Sequence, residues 1–292
     1  MQTIGFIGPG IMGAPMIQNL AEAGYRVRAF GRSDASRARI RDGGGIVAAS
    51  AIDAAHGADI IVTMLPDSPD VHEVVLGEGG LAEELSAGQV YIDMSTIRPD
   101  LTREIHQVLS KQGVDMLDAP VSGGQVGAEQ GRLSIMVGGQ AAVLEQVRDV
   151  LETMGSTITH VGPAGAGQLT KAANQMIVAA NIQAVCEAIV LLESAGADVG
   201  QALAAIGGGL AGSAVLQGKR EAFLTGSFDP GFRLALHNKD MRIVTSAAEQ
   251  AGIGLPVTGL VSHLMAAAAA KGYGERDHSV LLRAARELNA AD

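Results

Sequence analysis

Thr3-Ile4-Gly5-Phe6-Ile7-Gly8-Pro9-Gly10-Ile11-Met12-Gly13 opens the chain and decides how the rest of it reads. A short apolar run is followed at once by a GxGxxG pattern and then by Ala14–Ala23, whose apolar residues recur at helical spacing. In such a strand–turn–helix unit the first glycine makes the tight turn. The second lets a pyrophosphate approach the backbone, and the third lets helix and strand pack closely. The helix N-terminus adds unpaired N–H groups and a partial positive charge. Gly8, Gly10, Ile11, Met12 and Gly13 are therefore expected to hold a dinucleotide; the alternative is a glycine turn that serves only the fold.

The stretches that follow repeat the alternation. Thr3–Gly8, Tyr25–Phe30, Asp59–Leu65, Val90–Ser95, Asp115–Val121, Leu133–Gly138 and Ile158–Gly162 read as strands, short, apolar and bounded by Gly, Pro, Asp or Ser. Helical patterns such as Asp100–Gln112 lie between most of them. Alternating strands and helices mean crossover units and a mostly parallel, doubly wound sheet with helices on both faces. After Gly162 the strands stop. Leu169–Ala195, Gln201–Ile206, Ala214–Leu224, Asn238–Gln250, Pro256–Lys271 and Ser279–Asn289 all carry helical patterns. The expected architecture is an α/β Rossmann domain over residues 1–163 and an all-α domain over 164–292. A helix of about 27 residues, roughly 40 Å long at 1.5 Å per residue, joins them and extends into a subunit contact. A break near Asn181 is the alternative.

Composition narrows the function classes. Of 292 residues 47% are apolar and only 18% charged, which excludes a disordered chain. Aromatics make up 3% and there is no Trp, so Ala, Val, Ile, Leu and 11 Met must build the core. A net charge of −10 lacks the basic footprint of a nucleic-acid binder. The single cysteine, Cys186, excludes an internal disulfide, fits a reducing compartment and reads as a small buried hydrophobe. The early apolar stretch has no basic n-region and is interrupted by glycines, so no signal peptide is expected. The longest apolar run, Leu255 to Ala270, contains Pro256, Ser262 and His263 and falls short of a membrane span. A cytoplasmic protein with no membrane and no metal site is expected.

The end of the second strand speaks to the cofactor's ribose. An NAD site places Asp or Glu there, whereas an NADP site leaves room and a cation for the 2′-phosphate. Phe30-Gly31-Arg32-Ser33 has no carboxylate; Arg32 can fork onto a phosphate and Ser33 can donate to it. NADP(H) is therefore expected, with NAD(H) as the alternative. Asp34 reads as a helix N-cap, and Arg37 either assists Arg32 or is a solvated helical charge. Leu65 and Pro66 end the third strand, and Thr96 follows the next, at the carboxyl edge where ligands bind. Leu65 and Pro66 would wall the site and Thr96 would bond near a nicotinamide; as isolated strings both also suit ordinary turns.

Two further strings carry candidate chemistry. Ser122-Gly123-Gly124 follows a strand and presents several N–H groups from one loop, as a carboxylate requires or a plain turn permits. Lys171 and Asn174 are three apart near the start of the long helix and share a face. Lysine is rarely buried without reason. A partly desolvated ammonium can protonate the alkoxide that hydride attack creates. Spacing alone leaves a snorkelling surface lysine equally open. His237-Asn238-Lys239-Asp240 forms a second charged cluster, in which His237 is a rival catalytic base.

Taken together these strings resemble the β-hydroxyacid dehydrogenase family along the whole length. The resemblance rests on the glycine fingerprint, Met64-Leu65-Pro66, Asp93-Met94-Ser95-Thr96, Asp118-Ala119-Pro120-Val121-Ser122-Gly123-Gly124, Gly165-Ala166-Gly167 through Lys171 to Asn174-Gln175, and Lys239-Asp240. Within the family, Gly208–Ser213, Pro230-Gly231-Phe232-Arg233 and Asp277-His278-Ser279 look most like members that reduce tartronate semialdehyde; members acting on 3-hydroxyisobutyrate come next. The resemblance implies Lys171 as the catalytic group and Asn174 as its substrate-orienting partner. Ser122, Gly123 and Gly124 would hold the substrate carboxylate, with Phe232 and Lys239 beside the substrate. Lys239 would also reach the cofactor. A homodimer or homotetramer formed through the helical half is implied too. Gly31 departs from relatives that carry Asp there, so their cofactor preference does not transfer. Imine reductases share the architecture but typically lack this lysine. A catalytically idle dinucleotide-binding module is the alternative from another class.

Overall fold

In the first unit, which ends at Lys171, side chains alternate between the two faces of the strands and bury both. The computed structural model describes residues 2–289. Nine strands are present among the described residues of this unit: β1 (Thr3–Ile7), β2 (Arg26–Phe30), β3 (Ile46–Val47), β4 (Ile60–Thr63), β5 (Val90–Asp93), β6 (Asp115–Asp118), β7 (Val121–Ser122), β8 (Leu133–Gly139) and β9 (Gly155–Gly162). Ile4 and Phe6 of β1, Ile60 and Val62 of β4, and Val90 and Ile92 of β5 belong to one core. Ile7, Ile61 and Tyr91, at the alternate positions of the same strands, belong to another. Against the first core pack α1 (Gly13–Glu22) and α8 (Ala141–Glu152); against the second pack α3 (Ala51–Ala55), α4 (Ser68–Leu76), α5 (Leu81–Glu84) and α6 (Pro99–Ser110). Burial on both faces is why these strands read as near-continuous apolar runs.

The sheet order is β3-β2-β1-β4-β5-β6-β8-β7, with β9 paired to β8. From β3 to β6 every pairing is parallel, whereas β6–β8 and β7–β8 are antiparallel. Chain order reverses direction between β1 and β4, and the crevice outside the carboxyl ends there is where such sheets take ligands.

The second unit, beginning at Ala172, is helical among the described residues. It contains most of α9 (Ala166–Ser194), then α10 (Val199–Gly207), α11 (Ala214–Thr225), α12 (Leu234–Ala251), α13 (Pro256–Ala268) and α14 (Leu281–Asn289). Its core joins Ala179, Ile182, Cys186 and Ile189 of α9 to Leu216, Phe223, Met241, Met265 and Leu281. Caps set the helix limits: the Ser213 hydroxyl accepts the Leu216 N–H at the start of α11, and left-handed Gly226 and Gly252 end α11 and α12.

The architecture agrees with the expected one, and several local readings are corrected. The two-residue β3 is too short to leave a sequence pattern. The run Asp115–Val121 is two strands, because the chain turns at Ala119-Pro120 to enter the antiparallel part of the sheet. Asp34 is not the cap of α2 (Asp34–Asp42): the Ser33 hydroxyl accepts the Ser36 N–H, and Asp34 is the first helical residue. Helix α9 runs 29 residues through Asn181 without a break, and the Asn181 side chain accepts a hydrogen bond from Ser213. The pattern Pro256–Lys271 stops as α-helix at Ala268 and closes in a π turn in which Gly272 takes φ 90°. Helix α9 is also long and apolar enough to cross a membrane by length and composition.

Gly8 ties the first turn to the sheet. Its φ is 106°, and a Cβ there would lie 2.2 Å from the Met64 carbonyl oxygen. Gly8→Ala should therefore cost on the order of 1–3 kcal/mol from backbone strain alone, with the displaced Met64 carbonyl adding to it. Urea unfolding followed by circular dichroism should show the transition of the α/β unit at lower denaturant.

Candidate active site

The glycine loop after β1 has the shape that a diphosphate needs. A Cβ on Gly13 would sit 2.1 Å from the Gly8 carbonyl oxygen, so helix α1 and the loop are in backbone contact. A Cβ on Gly10 would meet nothing within 4 Å, so that glycine faces open space. The N-cap position of α1 is Met12, which gives no side-chain cap, and its first turn contains no acidic residue. Within that turn the Ala14 N–H donates to the Gly10 carbonyl at 2.9 Å and Pro15 has no N–H, and no side chain competes with an anion for the end of the helix. Ile11 is exposed on the loop, and Met12 is half-buried against the first core. These residues fit a dinucleotide.

At the end of β2, Gly31 has no room for a side chain: a Cβ would lie 2.5 Å from Ser36 Cβ and 2.7 Å from Pro9 Cγ. A carboxylate in place of Gly31 would displace the α2 cap or the glycine loop. Beside it the Arg32 side chain is 76% exposed, its guanidinium 3.5 Å from Asp70. Ser33 is occupied in capping α2, and Arg37 pairs with Asp34 at 2.8 Å on the helix surface.

A chain of hydrogen bonds runs along the carboxyl edge of the sheet from the glycine loop to α9. The Leu65 side chain stands next to Gly8, and the Leu65 N–H donates to Ser95 Oγ at 2.9 Å. The Ser95 carbonyl accepts from Gln168 Nε2 at 2.8 Å, and Gln168 Oε1 accepts the Ile97 N–H at 3.0 Å. The Gln168 N–H donates to Asp118 Oδ2 at 2.9 Å, and the Gly165 N–H to Asp118 Oδ1 at 2.8 Å. Asp118 thereby caps the first turn of α9 from the end of β6. Glycines allow the approach: a Cβ on Gly138 would lie 2.4 Å from Asp118 Oδ1, and one on Gly167 2.4 Å from the Met136 carbonyl. Burial lifts the Asp118 carboxyl to about 6, against the pull of the Gly165 and Gln168 N–H groups and with a further push from Asp93.

Lys171 lies one turn after Gln168 and is 7% exposed; Thr96 is half-buried and Pro66 exposed. This edge therefore brings Gly8, Leu65, the Thr96 loop and the turn that bears Lys171 into one connected structure. Ser122, Gly123 and Gly124 stand at β7, at the far side of the strand order. Gly123 (φ 137°) and Gly124 (φ 62°) hold conformations that favour glycine and open α7 (Gly124–Glu129).

Three expected residues in the second unit meet around Gln175. Asn174 Nδ2 donates to Gln175 Oε1 at 2.8 Å, and Gln175 Nε2 donates to Asp240 Oδ2 at 2.5 Å. Lys239 Nζ is 2.8 Å from Asp240 Oδ1, and both side chains are buried. Phe232 packs on His237 and His278, with ring centroids 5.6 and 5.5 Å away. His237 is not placed as a catalytic base. It is fully buried, with Nδ1 2.9 Å from His278 Nδ1 and Nε2 3.1 Å from the Gln175 carbonyl. Burial, with His237 nearby, pushes the His278 imidazole down to about 3.

Sequence reasoning passed over Asp118, Gln168 and Gln175 as individuals, although each sat in a quoted motif. A carboxylate directly after apolar Met116 and Leu117 was the available signal for Asp118. Its partners 47 and 50 positions away left none. Two cavities, of about 510 and 420 Å³, lie in the second unit and are lined by none of the expected site residues. No group of three or more His, Cys, Asp or Glu among the described residues is arranged to hold a metal.

The architecture and the motifs at the sheet edge define the class: the chain belongs to the NAD(P)-dependent β-hydroxyacid dehydrogenases. Residues 3–162 match the NAD-binding domain of 6-phosphogluconate dehydrogenase. Residues 165–285 match the NAD-binding domain of NADP-dependent 3-hydroxyisobutyrate dehydrogenase. Among individual proteins, the chain is 41% identical to the 2-hydroxy-3-oxopropionate reductase of Escherichia coli K12 over 281 residues, 96% of each chain. It is 36% identical to the NAD-dependent L-serine dehydrogenase of Pseudomonas aeruginosa over 96% of this chain and 97% of that one. The solved Mycobacterium tuberculosis 3-hydroxyisobutyrate dehydrogenase with L-serine superposes with a TM-score of 0.90 at 34% identity, covering 99% of this chain and 100% of that one.

Asp118 makes stability depend on pH with a definite sign. Its folded value of about 6 lies above the ordinary 3.8, so the folded state holds the proton more tightly. The stabilisation from the neutral acid is complete below about pH 4 and is lost as pH rises through 6, a change on the order of 2–3 kcal/mol. Asp118→Asn carries no such titration. Calorimetric melts from pH 4 to 7 should show the variant improving relative to the parent as pH rises; a constant difference would contradict the assignment.

Proposed function

We propose that the protein is a cytoplasmic NADPH-dependent reductase of tartronate semialdehyde (2-hydroxy-3-oxopropanoate), yielding glycerate, with Lys171 as proton donor. The observation that carries the reading is a nearly buried lysine on the turn of α9 that Asp118 and Gln168 fasten to the carboxyl edge of the sheet. Lysine loses solvation there without leaving the ligand-binding edge. The similarity to the Escherichia coli reductase supports the substrate.

Gly8, Gly10, Ile11, Met12 and Gly13 would hold the diphosphate against α1, Leu65 and Pro66 would wall the cofactor, and Thr96 would bond near its nicotinamide. Arg32 and Ser33 would take the 2′-phosphate, and the absence of a carboxylate at Gly31 supports NADP(H) over NAD(H). The bound dinucleotide supplies the hydride. Lys171 Nζ then gives its proton to the oxygen of the new alkoxide and, in the oxidising direction, takes it back as the neutral amine. Ser122, Gly123 and Gly124 would receive the substrate carboxylate. Asn174, Phe232 and Lys239 would orient the substrate, with Lys239 also reaching the cofactor.

Residues 1–163 are read as the dinucleotide-binding domain and 164–292 as the substrate and oligomerisation domain, a division supported by the gap between the two family matches. Exposed Ile177 and Leu191 on α9, with Val257 and Leu260 on α13, support a homodimer or homotetramer. The fold match to the mycobacterial enzyme favours one second reading, dehydrogenation of 3-hydroxyisobutyrate or a related semialdehyde acid.

Lys171→Ala should lower turnover about 10²- to 10⁴-fold while dinucleotide affinity, titrated by nicotinamide fluorescence, stays within about twofold. Equal turnover would remove Lys171 from the chemistry. Arg32→Ala should raise the KM for NADPH roughly tenfold and leave that for NADH unchanged. Comparing kcat/KM for tartronate semialdehyde and for the semialdehyde of 3-hydroxyisobutyrate separates the two substrate readings.

A further inference from the structure

Both side-chain polar groups of Gln168 and its backbone N–H are hydrogen-bonded within the candidate site. Its side-chain amide accepts from Ile97 N–H and donates to the Ser95 carbonyl, so it grips the residues on both sides of Thr96. Its backbone N–H is held by Asp118, whose other oxygen holds Gly165. The side chain is 1% exposed, so water does not compete for these bonds. Three positions later on the same helix stands Lys171, just under one turn away. The surrounding backbone has no slack, since neither Gly138 nor Gly167 leaves space for a single added carbon.

We infer that Gln168 is a positioning residue that sets the place of Lys171 relative to Thr96, and that Asp118 anchors it. The inference rests on the proposed roles of Lys171 and Thr96 and adds what holds them in register. One carbonyl group has to meet the hydride source at its carbon and the ammonium at its oxygen. The Thr96 loop and the first turn of α9 come from distant parts of the sequence, and the Gln168 amide joins them directly. Asp118 has a second consequence: a buried carboxylate whose ionisation folding disfavours is retained at the point where it fixes the start of the lysine-bearing helix.

The test is a kinetic cycle with tartronate semialdehyde and NADPH on the full-length protein. Gln168→Met keeps the volume and removes both side-chain hydrogen bonds. It should lower kcat about 10- to 100-fold, as sub-ångström to ångström displacement of a reacting group does, with KM and NADPH affinity within about twofold. The primary isotope effect from 4-deuterated NADPH should rise as the chemical step becomes slower than product release. In a Lys171→Ala background the same substitution should change the residual rate by less than about twofold, because the group it positions is gone. Wild-type kcat in Gln168→Met overturns the inference, as does a full additional loss in the Lys171→Ala background. Undiminished turnover in Lys171→Ala alone would instead defeat the reading of the lysine. Should Gln168→Met fail to fold, Gln168→Asn, which keeps the amide but cannot reach both backbone groups, carries the same comparison.

Discussion

The Asp118 carboxylate, buried at the end of β6 and receiving N–H groups from Gly165 and Gln168, is the constraint on which the candidate site depends. A helix start leaves N–H groups unpaired, and an ionised acceptor there also meets the positive end of the helix dipole. Here the acceptor comes from a strand of the sheet, so capping the helix and attaching it to the sheet are one interaction. The cost is visible in the carboxyl's raised proton affinity. Burial opposes the charge and the two N–H groups offset only part of that penalty. The fold therefore keeps a charge in a place where an uncharged cap would be less costly, as sites of chemistry often do.

Close backbone approach is the second theme, and glycine makes it. Gly13 lets α1 reach the first turn, Gly31 lets the end of β2 come against Pro9, and Gly138 with Gly167 lets α9 reach β6 and β8. Gly31 links packing to chemistry. The position that in an NAD site would carry a carboxylate is filled by its own neighbours, so the region beside it is left to the exposed Arg32.

The helical unit uses polar burial differently. Around Gln175, Asn174, Asp240 and Lys239 form a connected set, and His237 bridges the Gln175 carbonyl to His278. Asp277 receives Lys219 Nζ and the N–H groups of Gly231, Phe232 and Ser279, and so pins the turn before Phe232. Satisfied networks of this kind specify one arrangement of a core that has few aromatic rings to interlock. Burial and the neighbouring His237 favour the neutral form of the His278 imidazole there.

Much of the architecture was legible from residues in order, because strand and helix periods and glycine punctuation are local properties. The parallel α/β part, the helical part, the glycine turn and the long helix all followed from patterns within a few tens of residues. Where a local pattern was too short or ambiguous the reading slipped, as at β3, at the split of β6 from β7, and at the choice of Ser33 over Asp34 as cap. Sequence also nominated Lys171, through the oddity of a charge on an apolar helix, but left its burial open. Only the tertiary structure decided that Lys171 is buried, that Asp118 caps a helix 47 residues away, that Gln168 grips both neighbours of Thr96, and that His237 is sealed into a core. Each of those facts is a contact between distant segments, and a contact's existence depends on where the sheet order and the helix packing bring the chain together, which no local pattern encodes.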